Sequence, residues 1–248
     1  MIKRPVTNIS LCVGVMAVAF GGYAIAAPQG VAAFKSAIAD PIRPPEDVAR
    51  DADRKPAELL AFAGVRKGMT IAELAPGGGY FTRILTSAVG AKGHVYAITA
   101  KPSPGMQALA QQRSNLTVAS GSPGTIPTPG QVDLVWTTLN YHDFKNNKLP
   151  TGDVAQSFDA EAFRVLKPGG TYLIVDHEAA AGAGASQTST LHRIEDTVVR
   201  REVEAAGFKQ YVQDVVLLAD QTRDLDIHLQ IGEATQQVTE NRSTARVL

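Results

Sequence analysis

The chain carries one cysteine, Cys12, which lies inside an uncharged apolar run. With no second thiol, no intrachain disulfide can form, and stability must come from a packed core. A lipid-modified cysteine would follow a small residue at the end of such a run. Cys12 follows Ile9, Ser10 and Leu11, which excludes a lipoprotein. Excess charge of either sign is also missing, since 24 basic residues balance 24 acidic ones. No dense Lys/Arg run occurs; the nearest, Arg200 and Arg201, reads as the solvated side of a helix. A nucleic acid is therefore not an expected partner.

What the N-terminus does have is a leader-like order. Lys3 and Arg4 precede about 16 apolar residues (LCVGVMAVAFGGYAIA), and Ala24, Ile25 and Ala26 supply a small-x-small cleavage pattern. This is the layout of a secretory signal. An uncleaved anchor is the alternative, but the run is short of the ~20 residues a spanning helix needs. No twin arginine is present, so a Sec-type signal (1–26), cleavage near Ala26 and a periplasmic product without further membrane association are expected. Losing Lys3 and Arg4 leaves 22 basic against 24 acidic residues and no cysteine. An Ala/Pro-rich arm (27–50), a main domain (51–220) and an atypical tail (221–248) follow.

Within the main domain, DRKPAELLAFAGV reads as a helix with Pro56 in its first turn and Gly64 at its end. MTIAELA (69–75) is a short apolar strand broken by Gly77, Gly78 and Gly79, after which Phe81, Ile84, Leu85 and Ala88 recur at helical spacing. Strands at HVYAIT (94–99), LTVAS (116–120), VDLVWTTL, TYLIVDH (171–177) and KQYVQDVVLLAD (209–220) alternate with helices SPGMQALAQQR, SFDAEAFRVLKPGG and LHRIEDTVVRREVEAAGF. The low-complexity AAAGAGASQTST between two of them reads as a mobile loop. Such alternation predicts one α/β domain with a doubly wound, mostly parallel Rossmann-like sheet, whose ligand binds at the carboxyl ends of the strands.

The glycine loop lacks two parts of a nicotinamide site. Thr82 stands where the third glycine of G-x-G-x-x-G belongs, and the second strand ends in Ile98, Thr99 and Ala100 without an acid. A phosphate-binding P-loop is absent too, since no Gly-Lys-Ser/Thr follows. The acid instead precedes the glycines, as Glu73.

Glu73, Ala75, Gly77, Gly78 and Gly79 resemble motif I of the class I S-adenosylmethionine-dependent methyltransferases (acid-x-Gly-x-Gly-x-Gly). NYHDF, LKPGGTYLIVDHEA and HRIEDTVVRREVEAAGF are arranged as in exported bacterial proteins described as predicted methyltransferases, a resemblance covering roughly residues 51–208. It implies the class I methyltransferase fold, S-adenosylmethionine as cofactor and a methyl acceptor facing the end of the fourth strand. Close backbone approach at the glycines and a nearby carboxylate suit a bulky cationic ligand. Two positions depart from the family: Ala75 replaces the first glycine, and Thr99 stands where relatives place an acid for the ribose. The tail departs as well. DLDIHLQI (224–231) is the candidate for the family's last, antiparallel strand, whereas VTENRSTARVL is too polar for a core strand.

At the end of the fourth strand stand Asn140, Tyr141, His142 and Asp143. Asn140 resembles the polar residue that opens this motif in N-methylating relatives and is grouped with the cofactor residues. His142 is the candidate base for an oxygen or nitrogen acceptor. Asp143 is placed to orient the imidazole or bind a substrate cation, and Tyr141 to stack on a small-molecule substrate. Two other readings stay open. One is an exported, non-catalytic binding protein on the same scaffold. The other is a metal site, with Asp176, His177 and His192 joining His142 at the strand ends, although no recognised ligand spacing supports it.

Overall fold

The computed structural model describes residues 30–212 and 227–233. The expected signal peptide and the sixth strand beyond Val212 lie outside the described residues. A 3-10 turn, Val31–Phe34, opens an arm of short helices: α1 (Lys35–Ile38), α2 (Pro45–Val48) and α3 (Asp51–Arg54). The predicted DRKPAELLAFAGV helix is divided at Lys55, whose φ of 44° ends α3; α4 (Pro56–Phe62) then restarts on Pro56. Proline suits that first position because its missing N–H has no helical partner to lose.

The doubly wound core follows as β1 (Thr70–Leu74), α5 (Tyr80–Val89), β2 (His94–Ile98), α6 (Pro104–Gln112), β3 (Leu116–Ala119) and β4 (Val132–Thr138). Beyond β4 come α7 (Tyr141–Asn146), a two-stranded hairpin of β5 (Lys148–Leu149) and β6 (Gly152–Asp153), and α8 (Val154–Val165). β7 (Leu166–His177), α9 (Asp196–Ala205), β8 (Lys209–Val212) and β9 (Ile227–Glu233) complete it. The start of α8 is fixed by a capping box: Asp153 accepts from the Gln156 backbone N–H, and the Gln156 side chain accepts from that of Asp153.

The strand order is β3-β2-β1-β4-β7-β9-β8. β1 to β4 and β7 run parallel, and β9 is antiparallel to both β7 and β8. This is the class I methyltransferase architecture. Ile227–Glu233 therefore lies inside the sheet, and the candidate segment DLDIHLQI supplies the antiparallel strand, between β7 and β8. Its alternating IHLQI suits such pairing.

Alternation along each parallel strand sends neighbouring residues to opposite, covered faces. On β1, Ile71 packs with Leu60, Ile84, Leu85 and Trp136, while Ala72 and Leu74 pack with Phe158, Tyr172 and Val199. Full burial of a side chain such as Leu85 contributes about 1.5–3 kcal/mol. Among the described residues, no helix is long and apolar enough to cross a membrane.

Candidate functional site

The strand order reverses between β1 and β4, where ligands of open α/β sheets bind. β1 ends in a glycine loop whose left-handed residues are Ala75 (φ 50°), Gly77 (φ 56°) and Gly79 (φ 86°). Ala75 thus takes, with a Cβ, the conformation that glycine adopts without strain. Gly77 and Gly78 are exposed, and a Cβ on Gly78 would meet nothing within 4 Å. Gly79 is different: a Cβ there would lie 2.7 Å from Met106 Sδ. One glycine closes the packing, and another leaves its face open for a ligand.

Glu73 clasps this loop from behind. Its carboxylate is 3% exposed and accepts a 2.6 Å bond from Thr82 Oγ1, tying β1 to the first turn of α5. Burial pushes the carboxyl up to about 7, although Thr82 and the Arg83 charge pull it down. The folded chain thus holds this proton more tightly than the unfolded chain. Glu73 costs nothing below its ordinary value of 4.5, and the fold loses stability as pH rises from there to about 7. The expected loss is on the order of 3 kcal/mol, from ~1.4 kcal/mol per pKa unit. Denaturant titrations at pH 5 and pH 8 should therefore show Glu73→Gln gaining on the parent chain at the higher pH. An equal gap at both values would mean that Glu73 is already ionised.

The arm fastens beside the loop. Asp47 accepts from Arg83 at 2.8 Å, and Asp51 accepts from Tyr80 Oη at 2.6 Å while pairing with Arg43. Arg54 lies over the Tyr80 ring, 4.7 Å from its centroid.

A cleft of about 380 Å³ opens over the ends of β1, β2 and β3, lined among others by Ala75, Ile98, Thr99, Ala100, Ser122 and Phe144. Thr99 lines this cleft, and its Oγ1 accepts from the Lys101 N–H at 3.4 Å. Asn140 links this side to the end of β4, donating from Nδ2 to the carbonyls of Ala75 at 3.2 Å and Thr138 at 2.6 Å.

The polar end of β4 is the first turn of α7, and that helix separates residues the sequence placed together. Tyr141 is fully buried and cannot stack on a substrate. Its hydroxyl lies 2.8 Å from Asp159 Oδ2 and 3.0 Å from Glu202 Oε2. The single phenolic proton is shared between two acidic side chains. Burial, with the Glu202 charge, pushes Asp159 up to about 8. Tyr141 is a packing residue. Tyr141→Phe should lower stability by about 1–3 kcal/mol by stranding these groups, with ligand binding unchanged within about twofold. Paired denaturation and binding measurements check this, and lost binding at unchanged stability would restore a substrate role.

His142 is 3% exposed and held twice by Asp176. Its backbone N–H donates to Oδ2 at 2.7 Å, and Nδ1 lies 2.6 Å from Oδ1. Parallel pairing of β4 with β7 brings the two together, since Thr138 is opposite Val175. The carboxylate fixes the tautomer with Nδ1 protonated and Nε2 bare. Burial disfavours the imidazolium, but the Asp176 bond and charge, with Asp143, outweigh this and raise the His142 pKa. Asp176 is the functional residue that sequence reasoning put on the wrong side of the histidine, as a ligand rather than a support.

Asp143 is half-buried, with Oδ1 3.5 Å from His142 Nε2 and 3.4 Å from His192 Nδ1. His192 does not start a helix: α9 begins at Asp196. The preceding residues instead pair Ile194 with Glu178 in an isolated bridge, and His192 adopts a φ of 55°. The low-complexity loop before it is fastened, with Gly184 N–H donating to Glu195 at 2.7 Å and the Thr188 hydroxyl donating to Asn146 of α7 at 2.8 Å. His177 stands apart, its ring 6.2 Å from that of His142.

Comparisons with known proteins agree with this architecture. Residues 72–174 match the family described as "Methyltransferase domain". A SAM-dependent methyltransferase structure from Aquifex aeolicus is 20% identical, with a TM-score of 0.58 over 83% of this chain and 98% of that one. An arsenic(III) S-adenosylmethionine methyltransferase from Chlamydomonas reinhardtii is 18% identical, with a TM-score of 0.53 over 82% of this chain and 73% of that one. A chain from the complex of Haloferax volcanii Trm112 methyltransferase activator with its methyltransferase is 19% identical, with a TM-score of 0.56 over 82% and 98%. A search of curated proteins found no match. The structural likenesses show the class I methyltransferase fold, and the domain match lies within its β1–β7 core.

Proposed function

We propose that this chain transfers a methyl group to an oxygen or nitrogen atom of a small molecule. The cofactor is S-adenosylmethionine, which supplies the sulfonium methyl group when bound. The observation that carries the reading is a glycine loop with an open face, joined through Asn140 to an oriented imidazole at the end of β4. Gly77 and Gly78 would admit the cofactor against the backbone, Ala75 and Thr99 would line its cleft, and Glu73 would hold the loop. His142 would take the acceptor's proton on Nε2 while Asp176 stabilises the imidazolium. A soft acceptor held by thiolates does not fit, because the only cysteine is Cys12. The leader-like N-terminus supports export, so we place the reaction outside the cytoplasm, in the periplasm.

Turnover tests this reading. The chain, S-adenosylmethionine and a panel of small alcohols, phenols and amines should together form S-adenosylhomocysteine. Product formed only with structured RNA would overturn the small-molecule reading. Thr99 in place of an acid favours a second reading, a binding protein that keeps the scaffold without turnover.

A further inference from the structure

We propose that His142 Nε2, Asp143 Oδ1 and His192 Nδ1 form a binding site for a divalent transition-metal ion of the zinc or nickel type. The three donor atoms lie within 4.8 Å of one another, and Asp143 Oδ1 stands 3.5 Å and 3.4 Å from the two nitrogens. These separations are too long for N–H···O bonds, which cluster at ~2.9–3.0 Å. They do match the edge of a tetrahedron around an ion with ligands at ~2.0–2.1 Å, which is about 3.3–3.4 Å.

The surroundings agree. Asp176 grips Nδ1 of His142 from behind at 2.6 Å, leaving Nε2 with a free lone pair. A carboxylate behind a histidine is the usual support of a metal ligand, fixing ring orientation and raising basicity. His192 reaches the cluster from a left-handed backbone, at a φ of 55°. Non-glycine residues hold that conformation under strain, and such strain collects at functional sites. The side chains of Asp143 and His192 are 48% and 62% exposed, so an ion has a path from solvent and keeps at least one open position. Two imidazoles and one carboxylate select zinc, nickel or cobalt over magnesium and calcium, which take oxygen ligands. The open position would hold a water or the heteroatom of an acceptor. A proton and the ion compete for the same Nε2.

The site shares Nε2 with the proposed base, so a bound ion and proton uptake by His142 exclude each other; it is tested apart from cofactor binding. The untagged full-length chain, freed of metal by chelator dialysis, is titrated with zinc chloride and then magnesium chloride. One equivalent of zinc should bind with a Kd at or below about 1 μM, and magnesium should not bind. His192→Ala and Asp143→Asn should each weaken zinc at least about tenfold, and Asp176→Asn about 10–100-fold, as expected for a supporting group. Both ligand variants change partly exposed side chains, so melting temperatures without metal should stay unchanged. No zinc binding at about 100 μM by the folded chain would overturn the proposal, as would affinity unchanged in the His192→Ala, Asp143→Asn double variant. S-adenosylmethionine binding by the same preparation separates the two readings. Zinc binding without it removes only the cofactor reading, and the converse removes only the metal site.

Discussion

Gly78→Val is expected to abolish S-adenosylmethionine binding while the chain keeps its fold. Three glycines share the loop, but they do different work. Gly79 has a positive φ and sits against Met106, so a side chain there damages packing before any ligand is considered. Gly77 also has a positive φ, so substitution strains the backbone. Gly78 has neither constraint: its φ is ordinary, and an added Cβ points into open space. A valine there fills the volume that a ligand hugging the backbone must occupy. Affinity should fall at least about 10²-fold, or ~2.7 kcal/mol. The melting temperature should stay within about 4 °C, the scale of 1 kcal/mol for a domain of this size. Calorimetric titration of both chains, with a thermal melt of each, provides the check. Undiminished binding would move the cofactor away from this loop.

The second large effect is expected at His142. His142→Ala should lower turnover by about 10²–10⁴-fold and leave cofactor affinity within about threefold. His142 is not among the residues that line the cleft, although Phe144 of the same helix is. Asp176→Asn should give a smaller loss, about tenfold or more, because the amide keeps the shape but not the charge that raises the His142 pKa. The imidazole remains and its orientation loosens. Single-turnover rates at saturating cofactor separate the two variants. If His142→Ala leaves turnover unchanged, the imidazole is a packing residue of α7.

Much of the fold was legible because local pattern and global architecture agree. Phe81, Ile84 and Leu85 recur at helical spacing and form the buried stripe of α5, and the three glycines mark the bend between β1 and that helix. The candidate site was legible at its anchors, Glu73 and His142, because unusual residue types stand at strand ends. Its wiring was not. Asp176 meets His142 across 34 residues, and only the parallel register of β4 and β7 brings them together. Tyr141 was misplaced because aromatics in a polar stretch suggest stacking. Tyr141, Phe144 and Lys145 fall at i, i+3 and i+4, which marks the inner face of a helix. The strand at Ile227–Glu233 was legible as the candidate DLDIHLQI, and it runs two residues further than that segment. His192 was assigned to a helix because its neighbours have helical periodicity, but the bridge between Glu178 and Ile194 delays the helix start to Asp196.

The central claim is that the glycine loop holds S-adenosylmethionine. Isothermal titration of the folded chain with S-adenosylmethionine and S-adenosylhomocysteine tests it directly. The account predicts one site with a Kd of about 1–100 μM for each, near −8 to −5 kcal/mol. A folded chain that binds neither at about 1 mM would contradict it.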